Sequence, residues 1–566
     1  MNTSIKTLIA ATCCAALATS CINKTDEMAQ NEMMTVGNPF MPLWEHIPDG
    51  EPYVFEDPDQ PGKYRVYIYG SHDVLVKGYC GRDQVVWSAS VDSLNNWRYD
   101  GVIFSITTNG KGEPLYDDAT LGDVLYAPDV AEKINADGTK TYYLYPNNQT
   151  DGRNGMIAKS SRPDGPFEVC NWNPANPQIT DGATQFDPAI FIDDDGRVYA
   201  YWGFETSKAA EFDPKTMATI KPGTQKIMNM ISGRYQEGIF KFFEASSIRK
   251  IKDKYVFIYS RFTEEGEFGL PTSNYTLAYC YSDHPLGPWT YGGTIIDARG
   301  REIDEQGNVI ASATPDGNTH GSICEINGQW YVFYHRQTGT DEYARQAMVA
   351  PIEVKVEEGE GGKVEISEGE YNSNGFALNG LNPFERHSAG IACWYTGPKP
   401  AVHDWPRNIY FGSYVASGYG YATQAENDQV KDAAAAWGPK EKYEHPYDLR
   451  YNTNPVVNNT DGSIVGYKYF NFDEVQGRDD VEILLNLTPE GVDGTIEIMA
   501  DRPWTSQGGK LIGSIELKAD MKQEPIIMHT TLPELGKLAG QHAIFFKFKS
   551  DTKEKSLCIL HDLVFQ

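Results

Sequence analysis

Three acids head similar strand-like phrases: Glu51 before P-Y-V-F, Asp187 before P-A-I-F and Glu244 before A-S-S-I. Carboxyl groups brought from separate segments to one place can divide proton work. One, kept protonated, donates to a leaving oxygen, and another, kept ionised, activates water. A third acid beside them sets how tightly the donor holds its proton. A lone Asp before Pro is more often a turn starter than a catalyst, so the case for chemistry rests on a shared register.

That register comes from a repeated phrase. Phe186 to Gly203 reads F-D-P-A-I-F-I-D-D-D-G-R-V-Y-A-Y-W-G, a hairpin with an acid at its mouth and a D-D-D-G turn. Related phrases start at Gly50, Tyr126, Phe243 and Thr319, and align Glu51, Ala127, Asp187, Glu244 and His320 at one position, 57 to 76 residues apart. Five repeats of this length, each two to four strands, predict a β-propeller. Phe167, Trp289 and Trp97 read as blade-core aromatics rather than sugar platforms.

Composition agrees with an all-β chain of 566 residues: 12% aromatic, with 53 Gly and 32 Pro punctuating short runs. A formal net charge of −29 excludes a sequence-independent grip on nucleic acid, which needs clustered Lys and Arg. A neutral polymer such as a polysaccharide is compatible with that surface. Cys80, Cys170, Cys280, Cys324, Cys393 and Cys558 lie singly, with neither C-x-x-C nor metal-ligand spacing, so no zinc site and no thiol chemistry are expected.

The first 21 residues read as an export signal: a basic start to Lys6, an apolar run over Thr7–Ala18, then Thr19-Ser20-Cys21. They resemble a bacterial lipoprotein signal with Cys21 as the lipidated residue, Cys13 and Cys14 being the alternatives. The expectation is a tether over 22–37 and an exported protein of the periplasm or outer membrane that meets the membrane only through its lipid. A propeller is expected over 38–398, with Gly390–Trp394 as a strand completing the first or last blade. A linker and β-sandwich follow over 399–566, with strands near 465–472, 480–487, 494–500, 513–517, 526–530, 541–549 and 556–565.

The phrases F-D-P-A-I-F-I-D-D-D-G, F-E-A-S-S-I-R-K-I and H-G-S-I resemble glycoside hydrolase family 43 over roughly Asn38 to Trp394. The resemblance implies a five-bladed propeller that hydrolyses arabinose, xylose or galactose linkages with inversion and requires no cofactor. It also implies a plant cell-wall polysaccharide or oligosaccharide as partner. The expected activity is that of an α-L-arabinofuranosidase, with β-D-xylosidase and exo-β-galactosidase in the same class. A non-catalytic glycan-binding lipoprotein is the alternative of another class.

By the same resemblance, Asp187 tunes and orients the acid, and Glu244 is the proton donor. The family's base is usually an Asp in A-D-P; here the matching residue is Glu51 in D-G-E-P, with Asp49 two places earlier, and the shared register favours Glu51. His320 falls near the propeller axis, where relatives hold a calcium or a water through such a His; calcium prefers oxygen ligands, so His320 would meet a structural calcium through water or serve as a structural histidine. Arg336 resembles a family arginine near the substrate, while His72 and Asp129 are candidates for the pocket wall and rim. The sandwich is similar to family 6 carbohydrate-binding modules, most clearly at N-T-D-G-S-I-V-G-Y-K-Y-F-N-F from Asn459, with Trp504 a candidate for sugar stacking.

Overall fold

A computed structural model describes residues 32–34, 37–73, 79–105, 124–150, 152–417 and 454–566. Cys13, Cys14, Cys21 and most of the expected tether lie outside these residues. Among the described residues, five antiparallel sheets follow one another as blades. Their innermost strands are Glu51–Glu56, Asp129–Ile134, Ala189–Ile192, Phe242–Ile251 and Ser322–Ile326. Each pairs with the next strand in sequence, so every blade starts at the channel and works outward. The expected hairpin is present as Ala189–Ile192 and Val198–Trp202, with Gly196 at φ 80° closing the turn, a backbone conformation glycine adopts without a Cβ penalty. Trp97 and Phe167 are fully buried, and Trp289 packs partly buried against the fourth blade.

The blade-five edge is covered by the chain's own beginning. Phe40 N donates to the Ala347 carbonyl, and the Asn38 amide bonds Val349 O at 2.8 Å. Beneath the channel mouth, one network crosses the blades. Arg249 binds Glu51 at 2.8 Å and the Ile323 carbonyl at 3.0 Å, and lies over the Tyr53 ring. The Tyr53 hydroxyl donates to Asp129, whose other oxygen accepts from Ile190 N.

The carboxy-terminal strands form two sheets facing each other, and the seven strands expected there are present. The sandwich also takes strands from within the span expected for the propeller. His387–Ser388 pairs with Cys558–Phe565, and Trp394–Thr396 pairs with Ile464–Asn471, so the segment at Trp394 completes no blade. One apolar cluster runs unbroken from Val256 and Val332 of the blades to Val465, Leu485 and Phe546 of the sandwich. The two units therefore share a core. Trp504 is half-buried with its ring edge-on to Trp394 at 5.9 Å, which occupies it in packing. Cys80, Cys280, Cys324, Cys393 and Cys558 are buried free thiols, and Cys170 is exposed.

Arg336 corrects a second expectation. It is 0% exposed and points away from the channel: its guanidinium holds Gln346 Oε1 and the Ala392 and Gly390 carbonyls. It is a strut between blade five and the chain entering the sandwich. Arg336→Leu would strand three buried acceptors, each costing about 1–3 kcal/mol. The expected outcome is a lower urea midpoint, with a loss on the order of 3 kcal/mol or more. An unchanged midpoint would show that the strut carries no stability.

Candidate active site

Asp49, Asp187, Glu244 and His320 line one cavity of about 620 Å³ at the channel mouth. Glu51 is not among its lining residues. Strand pairing gives the reason: Glu51 pairs with Tyr69, Asp129 with Tyr145, Ala189 with Tyr201 and Ser322 with Phe333. Ser71 N bonds Pro48 O just as Gly203 N bonds Phe186 O. The residue equivalent to Asp187 is therefore Asp49, and Glu51 is equivalent to Ala189, one pleat repeat deeper. A register slip of one residue turns a strand's side chains to the other face, but a slip of two preserves every alternation. The pattern of apolar residues was thus blind to this error. Glu51 instead sits 1% exposed against Arg249.

Asp49 and Asp187 precede their strands with φ of 61° and 47°, the left-handed region that Asp tolerates better than most residues. Glu244 reaches the cavity by another device. The ladder of Phe242–Ile251 is interrupted on both sides of Glu244, and Ala245 has φ 65°; such bulges re-aim a side chain. The bulge also frees Ala245 N to donate to Asp187 Oδ2 at 3.1 Å, while Asn147 donates to Asp187 Oδ1 at 3.0 Å.

The acids differ in charge. Burial works against ionised Asp49, but the Arg345 guanidinium and the Ser71 hydroxyl hold its carboxyl below the usual range. Arg345 Nη1 donates to it at 3.0 Å and Ser71 Oγ at 2.5 Å. Enclosure and the neighbouring charges of Asp187 and Asp49 push Glu244 well above the carboxylate range. Asp187 is raised as well, by burial first and Asp49 second. His335 is neutral, its burial lowering it to about 4. Its Nδ1 accepts from Asp49 N at 3.2 Å, and its Nε2 lies 2.8 Å from the Asn318 carbonyl, which sets the tautomer.

His320 is held neutral by burial, at about 4, with Nδ1 3.6 Å from Asp187 Oδ2. Calcium takes six to eight oxygens, and among the described residues no group of three or more His, Cys, Asp or Glu converges to hold a metal. A calcium beside His320 would therefore be held through water rather than by a cage of these side chains.

Two other expected wall residues lie elsewhere. Asp129, at the level of Glu51, is engaged by Tyr53 and Ile190 N. His72 is buried between Asp83 at 3.0 Å and Glu45 at 3.2 Å. Sequence reading missed Arg345, Glu342, His403 and Trp405, which line the cavity from blade five and from beyond the propeller. Arg345 stands outside any repeated phrase, and nothing local in the sequence marks it. The aromatic wall was equally hidden: Phe186, Phe204, Phe243 and Phe262 pack in succession at 5.1, 5.1 and 5.7 Å, with Arg234 over Phe262 at 3.6 Å.

A propeller mouth that sets an arginine-bonded carboxyl and an enclosed second carboxyl on one sugar-sized cavity has the makings of a glycoside hydrolase. The chain belongs to Glycosyl hydrolases family 43, whose profile matches residues 53–358, and it is accordingly an inverting enzyme. It is 30% identical over 551 residues to a "Xylosidase/arabinosidase" of Thermoclostridium stercorarium, spanning 92% of this chain and 98% of that one. It is 28% identical to an "Arabinoxylan arabinofuranohydrolase" of Paenibacillus polymyxa over 67% of this chain and 60% of the relative. Among solved structures, a Bacillus subtilis family 43 arabinoxylan arabinofuranohydrolase in complex with cellotetraose aligns over 94% of this chain and 97% of its own, at 20% identity and TM-score 0.41.

His72 supplies a stability test. Burial lowers its proton affinity, but Asp83 and Glu45 outweigh burial and bring it to about 10. The folded value exceeds the unfolded one near 6.5, so the stabilisation is complete below about pH 6.5 and is lost as pH rises towards about 10. Urea titrations across that window should show a decline approaching about 1.4 kcal/mol per pH unit from this group. In His72→Gln the decline should be flatter by that amount, and parallel curves would refute the assignment.

Proposed function

We propose that the protein removes α-L-arabinofuranosyl side chains from arabinoxylan, with Asp49 as general base, Glu244 as general acid and Asp187 as the group that orients Glu244. The observation that carries the chemistry is the placement of Arg345, whose Nη1 donates to Asp49 at 3.0 Å and favours its ionised form, while enclosure and the neighbouring Asp187 raise Glu244. Asp49 takes a proton from a water as that water attacks the anomeric carbon. Glu244 protonates the departing oxygen on the other face, and the configuration inverts. Asp187, bonded to Ala245 N, fixes the backbone beside Glu244 and sustains its proton by like-charge proximity. The names carried by the two curated relatives support the pentose reading. The first of them favours β-D-xylosidase as the second reading, since both sugars are pentoses presented at a chain end or branch.

Asp49→Asn should lower kcat by about 10³-fold on every glycoside, within the usual range for acid–base catalysis. Glu244→Gln should spare aryl glycosides with good leaving groups relative to oligosaccharides. Asp187→Asn should move the alkaline limb of the pH–rate profile down, because it removes the charge that raises Glu244. Glu51→Gln should leave both limbs in place. Near-normal rates in Asp49→Asn would defeat the proposal, and the anomer released, read by proton NMR, checks inversion independently.

Export and lipidation at Cys21 complete the proposal, supported by the signal anatomy of residues 1–21. Cys21→Ser should shift the protein from the membrane to the soluble fraction with its specific activity retained. Membrane retention in that variant would point to a different anchor. The shared core and the engaged Trp504 favour a structural role for the sandwich over a separate glycan-binding one.

A further inference from the structure

The catalytic cavity is not built by the propeller alone. Between two strands of the sandwich, Trp394–Thr396 and Tyr414–Val415, the chain makes a two-stranded hairpin, Val402–Asp404 with Arg407–Ile409. It crosses back to blade five. Asn408 N donates to Thr340 O at 2.8 Å, Glu342 N to Pro406 O at 3.1 Å, and Asn408 Nδ2 to Asp316 O at 3.2 Å. His403 Nε2 pairs with Glu342 at 3.0 Å, and Glu342 also accepts from the Tyr79 hydroxyl. These contacts pin the hairpin tip at the cavity, where His403 and Trp405 join the lining.

Trp405 differs from the four phenylalanines of this cavity. The four phenylalanines pack on one another, whereas Trp405 is 70% exposed and, among the described residues, no ring stacks on it. A large ring held on a pinned hairpin offers apolar area at little entropic cost on binding. Its depth sets which part of a ligand it meets. Asp49 and Asp187 are 5% and 4% exposed, so the sugar being cleaved lies at the closed end, and an exposed rim residue meets the part still reaching into solvent.

We propose that Trp405 is the stacking platform for the leaving-group side of the substrate, the pyranose unit of the polysaccharide backbone that bears the cleaved sugar. The apolar C–H face of that ring packs on the indole, so selection between polymer and small glycosides is exercised by the hairpin from the sandwich. The proposal rests on the pentosidase reading above.

The test compares wild type, Trp405→Ala and Trp405→Tyr on a branched arabinoxylo-oligosaccharide and on the methyl glycoside of the same cleaved sugar, whose aglycone is too small to stack. Urea midpoints of all three should coincide, since the ring is exposed. Trp405→Ala should lower the ratio of kcat/KM, oligosaccharide over methyl glycoside, by about 10-fold, mainly through KM, and Trp405→Tyr should recover part of it. Equal losses on both substrates, or none on either, would overturn the platform. Wild-type protein that cleaves neither pentoside would instead overturn the pentosidase reading. Calorimetry of unbranched xylotetraose with Glu244→Gln and with Glu244→Gln/Trp405→Ala then decides the platform without catalysis: weaker binding in the double variant supports it, and equal affinity refutes it.

Discussion

One buried cation makes the site possible. Arg345 donates to both oxygens of Asp73, at 2.8 and 2.9 Å, and to Asp49 at 3.0 Å, in a cavity that also holds Asp187, Glu244 and Glu342. Carboxylates brought together in such a place suppress one another's ionisation. An opposite charge at about 4 Å is worth roughly 4 kcal/mol at an effective dielectric of 20, enough to decide which acid ionises first. The planar fork of arginine can hold two acids in fixed relation, which a lysine point charge does not. Asp73 secures the guanidinium, which also holds Asp49, while enclosure and the neighbouring acids raise Glu244. On the proposed assignment, the division of labour between acid and base follows from where one guanidinium sits.

A second arginine organises the layer below. Arg249 joins Glu51 of the first blade to the Ile323 carbonyl of the fifth, while Tyr53 and Asp129 carry the same network to the third. A propeller's blades meet mostly through apolar side chains, which fix spacing better than angle. Hydrogen bonds across the channel supply direction, and a cavity whose acids come from different blades needs it. The acid at Glu51 therefore serves the ring that carries the site, which accounts for an acidic residue at a repeated position with no access to substrate.

The sandwich extends this logic. Its core is continuous with that of blades four and five, Arg336 of blade five holds the Ala392 and Gly390 carbonyls at its entry, and its hairpin is bonded to the loop that carries Glu342. These contacts tie the cavity rim to the propeller that forms its floor.

The repeated phrases of the sequence determined the five blades and Asp187 and Glu244 as channel-facing acids, and composition with turn-punctuated strand runs determined the all-β class and the seven sandwich strands. Those features depend on local periodicity and turn chemistry, which a sequence carries in full. The choice of Asp49 over Glu51 was left to the tertiary structure, because a two-residue slip keeps the pleat's alternation and only hydrogen-bonded pairing distinguishes the two registers. Arg345, Arg336 and the hairpin at Trp405 were likewise illegible. Their partners lie far away along the chain, as Asp49 does from Arg345, and charge compensation between such distant residues leaves no periodic trace in a single sequence.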